Sequence, residues 1–128
     1  MELLKQMMAT KILVGDGAMG TRLQTLVGTS QACIDSLNLD PNFSEIVALV
    51  HRSYLEVGAD VIFTNTYGAN AIKLGRYGRQ SQVRTINREG ARLARRCVDQ
   101  WQPEDPLLES VPNPLGHRLV GGSGGPLE

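Results

Sequence analysis

The sequence predicts a parallel α/β fold, and three observations carry that expectation. A short apolar run, Ile12-Leu13-Val14, stops at Gly15. A long stretch with helical apolar spacing leads through Gly58 into a second apolar run, Ala59 to Phe63. A second helical pattern, Gln80 to Trp101, precedes a third candidate strand at Arg118-Leu119-Val120-Gly121. Strands alternating with helices in this order are the pattern of parallel βα units. With 128 residues the chain is expected to form one domain at most, running over 1–128.

Composition narrows the function classes. Thirteen basic residues balance thirteen acidic ones for a formal net charge of zero, so charge gives no case for a nucleic-acid or membrane partner. Two cysteines, Cys33 and Cys97, do not make a disulfide framework, which fits a reducing compartment. The start, Met1-Glu2-Leu3-Leu4-Lys5, carries an acid and lacks the long apolar core of a signal peptide. No apolar run approaches the length of a membrane span. The expectation is a soluble, cytoplasmic protein.

Taken in order, Glu2 to Ala9 reads as a short helix, because Leu3, Leu4, Met7 and Met8 form one apolar stripe. Ile12 to Val14 follows as a buried parallel strand, too short for a helix and bounded by a breaker. Its exit, Gly15-Asp16-Gly17-Ala18-Met19-Gly20-Thr21, sets a carboxylate between two glycines at the carboxyl end of a strand, where parallel α/β folds bind ligands. Those glycines also spell G-x-G-x-x-G. A dinucleotide unit needs a compact βαβ of roughly 30 residues with an acid ending its second strand. Here the next strand is far off and ends in Thr64-Asn65-Thr66, so a nucleotide site is disfavoured.

Arg22 to Leu39 is poorly patterned, with a helical turn at Leu23, Leu26 and Val27 broken at Gly28-Thr29-Ser30. Cys33 and His51 alone do not supply the three or four ligands of a metal site, and Cys33 reads as a buried structural thiol. Asp40-Pro41 is expected to cap and open the first long helix, with Phe43, Ile46, Val47, Val50, Tyr54 and Val57 facing the core. Gly58 ends it in a left-handed cap. After the Ala59–Phe63 strand, Thr64 to Tyr67 forms an exit loop whose Asn and Thr are either turn formers or ligand groups at the same end as Asp16.

Ala71 to Tyr77 makes one or two helical turns closed by Gly78. In the second long helix, Val83, Ile86, Leu93, Ala94, Cys97, Val98 and Trp101 face inward, while Arg84, Arg88, Arg92, Arg95 and Arg96 form a solvated outer face. Residues 102–117 read as a proline-rich surface loop, with Pro103, Pro106, Pro112 and Pro114. Gly122 to Pro126 follows at the carboxyl end of the third strand and, taken alone, reads as a flexible linker or an expression scar.

The stretch from Val50 to Asn70, with Asp16-Gly17-Ala18-Met19-Gly20-Thr21 and Leu37-Asn38-Leu39, closely resembles the homocysteine S-methyltransferase family. Thr64 to Asn70, with Lys73-Leu74 and Tyr77-Gly78, is most similar to the branch fused to a methylenetetrahydrofolate reductase. The likeness runs from about Ile12 to Trp101 and again from Leu119 to Pro126. It implies a (β/α)8 barrel of which this chain supplies the N-terminal part, about three βα units, with the third strand an open edge exposed to self-association. It implies transfer of a methyl group to homocysteine, giving methionine, with the homocysteine thiolate held by zinc on three cysteines, and the expectation for this chain is a truncated fragment without activity of its own. Neither Cys33 nor Cys97 matches a ligand position, so the resemblance gives this chain no metal ligand and no catalytic residue, and the methyl donor is left open. It places Asp16 and Gly17 beside the amino-acid end of homocysteine, with Asn65, Thr66 and Ser123 lining the same mouth. An alternative of another class is a non-catalytic fragment, for binding or assembly, that completes a barrel with another chain.

Overall fold

The structure, a computed structural model, describes residues 1–28, 33–101 and 117–127. Its elements are α1 (Glu2–Thr10), α2 (Gly20–Val27), a 3-10 turn (Ile34–Asn38), α3 (Ser44–Glu56), β1 (Val61–Phe63), α4 (Ala71–Gly75), a second 3-10 turn (Gln80–Gln82), α5 (Val83–Gln100) and β2 (Leu119–Gly121). The proline-rich loop lies outside the described residues except for His117.

β1 and β2 pair in parallel, with Val61 opposite Leu119, Ile62 opposite Val120 and Phe63 opposite Gly121. On the other side of β1 the segment around Gly15 also runs parallel, joined by a bridge from Gly15 to Val61. The Val14 carbonyl accepts from the N–H groups of Asp60 and Val61, and the Asp16 N–H donates to the Val61 carbonyl at 2.9 Å. The three expected strands therefore lie side by side in chain order, with β1 in the middle.

The first of them differs from expectation. Ile12 to Val14 was expected to be a buried strand, yet Ile12 is 88% and Val14 55% exposed, and only Gly15 is bridged. The segment has a neighbour on one edge alone among the described residues, so half of its ladder is missing. A parallel sheet holds apolar strands by covering both faces. Here α3 and α5 cover one face, where Ile62 packs with Ala48, Leu55, Ala59, Ala94 and Cys97. The opposite side leaves Phe63 42% exposed, its ring lying close to both Gly15 and Gly121.

The helices follow their apolar periods. α3 buries Val47, Ala48, Val50, His51 and Leu55, and α5 buries Ile86, Leu93, Ala94 and Cys97. Each fully buried Leu or Ile contributes roughly 1.5–3 kcal/mol. A second cluster joins Leu23 of α2 and Leu37 to α3 and α5, and a third joins Cys33, Ala69, Leu74 and Ile86. The arginine face of α5 is solvated as expected. Arg92 pairs with Glu89, Arg95 with Asp99, and Arg96 reaches Glu45 of α3.

Two boundaries shift for local reasons. Asp40-Pro41 does not cap α3. The Asp40 carboxylate accepts from the Asn42 N–H and its carbonyl from Phe43 and Ser44, so the pair builds a turn and the helix begins at Ser44. At the other end α3 stops at Glu56, which leaves Val57 outside the stripe and 81% exposed. Gly58 then takes φ +97°, the left-handed conformation expected of it.

At the amino end of the sheet, Asp60 is 1% exposed. Its Oδ1 lies 2.8 Å from Lys11 Nζ and 3.9 Å from Arg118 Nη1, while Oδ2 accepts from the Val14 N–H. Arg118 also stacks over Trp101, 4.9 Å from the ring centre. One buried carboxylate thus ties together the starts of all three strand segments.

Candidate functional site

A cleft of about 420 Å³ opens at the carboxyl ends of β1 and β2. Phe63 to Gly68 forms its floor, with Ser123 from the loop after β2. Cys33, Ile34 and Asp35 form one wall, Met19 and Gly20 another, and Lys73, Arg76 and Tyr77 the rim. Such clefts beyond the carboxyl ends of parallel strands are the usual ligand positions of α/β folds.

The floor is a closed hydrogen-bond network. The Asn65 side chain donates to the Ile34 carbonyl at 3.0 Å and to Asn38 Oδ1 at 3.1 Å, and Asn38 returns a bond to the Asn65 carbonyl at 2.7 Å. Thr64 and Thr66 share a hydroxyl–hydroxyl bond of 2.6 Å. Thr66 donates to the Ser123 carbonyl and the Ser123 N–H donates to Thr64 Oγ1, which ties the loop after β2 to the loop after β1. Gly125 adds a bond to the Tyr67 carbonyl. The Asn65 side-chain NH2 and the Thr66 hydroxyl are thus partnered inside the protein.

Gly90, in the middle of α5, makes this floor possible. A Cβ there would sit 2.7 Å from both the Asn38 amide nitrogen and the Thr66 methyl carbon. Glycine inside a helix costs roughly 0.5–1 kcal/mol relative to alanine, and here it lets the helix pass directly beneath the loop.

Asp16 and Gly17 sit beside the cleft and do not line it. Asp16 Oδ2 accepts from the Phe63 N–H at 3.0 Å, clipping the first loop to the end of β1. Burial raises its pKa above the ordinary carboxylate value, against the lowering effect of that bond. Gly17 lies against Tyr54, where a Cβ would come within 3.0 Å of the phenol oxygen. That phenol donates to the Ala18 carbonyl at 2.6 Å, and Arg22 stacks on the same ring. Of the five candidate residues, the structure gathers Asn65, Thr66 and Ser123 around one cleft, sets Asp16 beside it through Phe63 and places Gly17 against Tyr54.

Several residues of the cleft had no role in the sequence reading. Asp35 accepts from the Gly68 N–H at 2.9 Å, and burial raises its pKa against that bond and the nearby Lys73 charge. Lys73 Nζ lies 4.9 Å from the centre of the Tyr67 ring. Lys73 and Arg76 stand three apart at α4, whose first turn is capped by Asn70 accepting from the Lys73 N–H. That spacing was visible; Asp35, in the unpatterned stretch, had no local signal. Cys33 is buried as expected, in a different cluster from Cys97.

The fold and cleft define a parallel α/β protein with a cleft beyond the carboxyl ends of its strands. The model of the family described as homocysteine S-methyltransferase matches residues 13–128, and the chain belongs to that family. It is 34% identical over 108 residues to the methionine synthase of Mycobacterium tuberculosis (strain ATCC 25618 / H37Rv), an alignment covering 80% of this chain and 9% of that protein. Against the methionine synthase of Mycobacterium leprae (strain TN) the identity is 35%, with the same coverage. Among solved structures, the metallated form of the homocysteine methyltransferase MmuM from Escherichia coli superposes with a TM-score of 0.70 at 28% identity, over 96% of this chain and 41% of that one. The chain therefore spans under half of the solved relative and about a tenth of the curated ones.

Proposed function

We propose that the protein transfers a methyl group to the sulfur of homocysteine, giving methionine, and that these residues form the N-terminal part of a (β/α)8 barrel. The family match over residues 13–128 carries this, and the cleft beyond β1 and β2 supports it. Asp16 and Gly17 stand toward the amino-acid end of homocysteine, with Asn65, Thr66 and Ser123 shaping the mouth. No helix among the described residues is long and apolar enough to cross a membrane, and a cytoplasmic setting accords with the two free cysteines.

The reaction removes the thiol proton to solvent. The sulfur then forms a bond to the methyl carbon while the donor–methyl bond breaks, leaving its electron pair on the donor. An alkyl thiol has a pKa near that of cysteine, about 8.5, and is mostly protonated at neutral pH. Zinc would favour the thiolate, but this chain's residues do not fit a zinc centre. Cys33 and Cys97 lie in separate core clusters, burial pushes the Cys97 thiol up, and no three His, Cys, Asp or Glu side chains converge on a metal position among the described residues. The chain's own contribution is to bind and orient.

The test is methionine formation from homocysteine with 5-methyltetrahydrofolate, betaine and S-methylmethionine, run on a complete barrel enzyme bearing this sequence at its N-terminus and on residues 1–128 alone. We expect turnover from the first with at least one donor and none from the second. Turnover by residues 1–128 that is lost in Cys33→Ser or Cys97→Ser would overturn the assignment of both cysteines to packing. A second proposal, an assembly fragment that completes a barrel with another chain, draws on the exposed apolar side chains of Ile12, Val14 and Phe63. It predicts no turnover in either form.

A further inference from the structure

The loop from Asp16 to Met19 is pinned at both ends and once in the middle. At its start the Asp16 N–H donates to the Val61 carbonyl, and the Asp16 carboxylate accepts from the Phe63 N–H at 3.0 Å. At its end the Met19 carbonyl accepts from the Leu23 N–H, which opens α2. The middle hangs on the Tyr54 phenol, which donates to the Ala18 carbonyl at 2.6 Å from 36 residues along the chain. Gly15, Gly17 and Gly20 all keep a negative φ, so left-handed glycines do not shape this loop. What Gly17 provides is room. A Cβ there would meet three atoms of the Tyr54 phenol at 3.0, 3.1 and 3.3 Å.

Tyr54 is itself held firmly. Its ring packs against two core clusters that α3 and α5 share, one around Leu55 and Ile62 and one around Leu23 and Val50. Arg22 lies over the ring, 5.2 Å from its centre, and donates to Ser53 Oγ at 2.6 Å. Ser53 donates in turn to the Val50 carbonyl, so the guanidinium is fastened to α3 beside the tyrosine. A phenol anchored through its ring loses little further freedom when its hydroxyl bonds the loop. We infer that Tyr54 is a positioning residue for homocysteine, its hydroxyl holding the Asp16–Met19 loop where the amino-acid end of the substrate is received. This rests on the methyl-transfer proposal. Tyr54 does not line the cleft, whereas Met19 and Gly20, which follow the bonded carbonyl, do. It therefore acts through the loop, with Arg22 bracing the ring.

Tyr54→Phe removes the hydroxyl and keeps the ring, and the variant is made in a complete barrel enzyme bearing this sequence at its N-terminus. Amide hydrogen exchange reads the loop directly, because the Phe63 N–H is bonded to the Asp16 carboxylate. We expect that amide to exchange about fivefold faster, as for loss of one neutral hydrogen bond, while the Leu93 amide inside α5 keeps its rate. The homocysteine KM should rise by about the same factor, with kcat and the donor KM unchanged. Val98→Ala cuts into a cluster on which the Tyr54 ring packs. It should lower stability and leave the homocysteine KM as it is, which separates positioning from general loosening. The inference is overturned if either the Phe63 exchange or the homocysteine KM keeps its wild-type value in Tyr54→Phe. It is equally overturned if both KM values rise together, or if Val98→Ala has the same effect. A wild-type enzyme that makes no methionine with any donor overturns the methyl-transfer proposal instead, and homocysteine affinity by calorimetry then takes the place of KM in the same comparison.

Discussion

The two ends of the small sheet solve opposite problems. At the amino end, Asp60 is withdrawn from water and receives Lys11, Arg118 and the Val14 N–H, so every charge there has a structural partner. At the carboxyl end the buried polar groups are neutral and form two small networks, Asn38 with Asn65 and Thr64 with Thr66 and Ser123, while Lys73 and Arg76 at the rim have no carboxylate ion pair among the described residues. The first arrangement fixes strand positions and the second leaves charge available to a ligand. This is the division expected of βα folds, with stability at the amino face and ligands at the carboxyl face.

The largest effect should come from the amino end. Asp60→Asn removes the negative charge while leaving Lys11 and Arg118 in place, and breaking one side of a buried ion pair costs about 3–5 kcal/mol. Lys11 is 22% exposed and keeps some contact with water, so the lower part of that range is expected. Chemical denaturation measures it directly. A loss under 1 kcal/mol would mean that the carboxylate does not lock the strands, and the contrast between the two ends would fail.

Acid should separate the core from both ends. His51 is fully buried on α3, and neither ring nitrogen has a hydrogen-bond partner among the described residues. Burial lowers its pKa from 6.5 to about 4. The unfolded chain therefore binds a proton that the folded one resists, and stability is full above pH 6.5 and falls as pH drops toward 4. The whole shift corresponds to about 3 kcal/mol. Asp60 acts in a lower window. Burial alone would raise its pKa, but the Lys11 and Val14 bonds and the Arg118 charge outweigh that and hold it below the ordinary 3.8. Its contribution is kept above that value and disappears only as pH falls through the lowered pKa. Unfolding free energies at pH 7 and pH 4.5 for wild type and His51→Leu test the assignment. The wild type should lose most of that 3 kcal/mol and the variant little; equal losses would assign the acid sensitivity elsewhere.

What was legible in the sequence follows the range of the forces involved. α3 and α5 were readable because Val47, Val50, Ile86 and Leu93 repeat at helical spacing within one window, and their burial needs no distant partner. The Ile12–Val14 run was readable as a strand, but its burial depends on neighbours that the described residues do not provide. Asn65 and Thr66 were placed correctly at a strand exit. That their side chains turn inward depends on Asn38 and Ser123, which lie 27 and 57 residues away. Asp60 carries no local signal, since Lys11 and Arg118 meet it only through the sheet. Gly90 carries no local signal within its helix, and the Asn38 amide and Thr66 methyl beneath it explain the missing side chain.

The smallest effect on stability should come from the same substitution made at the other end. Asp16→Asn keeps a carbonyl oxygen that can accept from the Phe63 N–H, so the clip between the first loop and β1 survives. Burial already disfavours the Asp16 charge, and a neutral amide relieves that penalty. We therefore expect the unfolding free energy to change by less than about 1 kcal/mol, the net worth of a typical hydrogen bond. Substrate binding should respond differently, because an amide cannot pair with the ammonium group of homocysteine as a carboxylate does. If the proposed methyl transfer holds, in a complete barrel enzyme bearing this sequence the homocysteine KM should rise about tenfold, the size of one charge-assisted bond, with the donor KM unchanged. That split distinguishes a ligand contact from a general loosening of the cleft, which would raise both constants together. An unchanged homocysteine KM would remove Asp16 from the site and leave it as the clip that holds Phe63, and the carboxyl end would then bind its ligand without the residue that first marked it in the sequence.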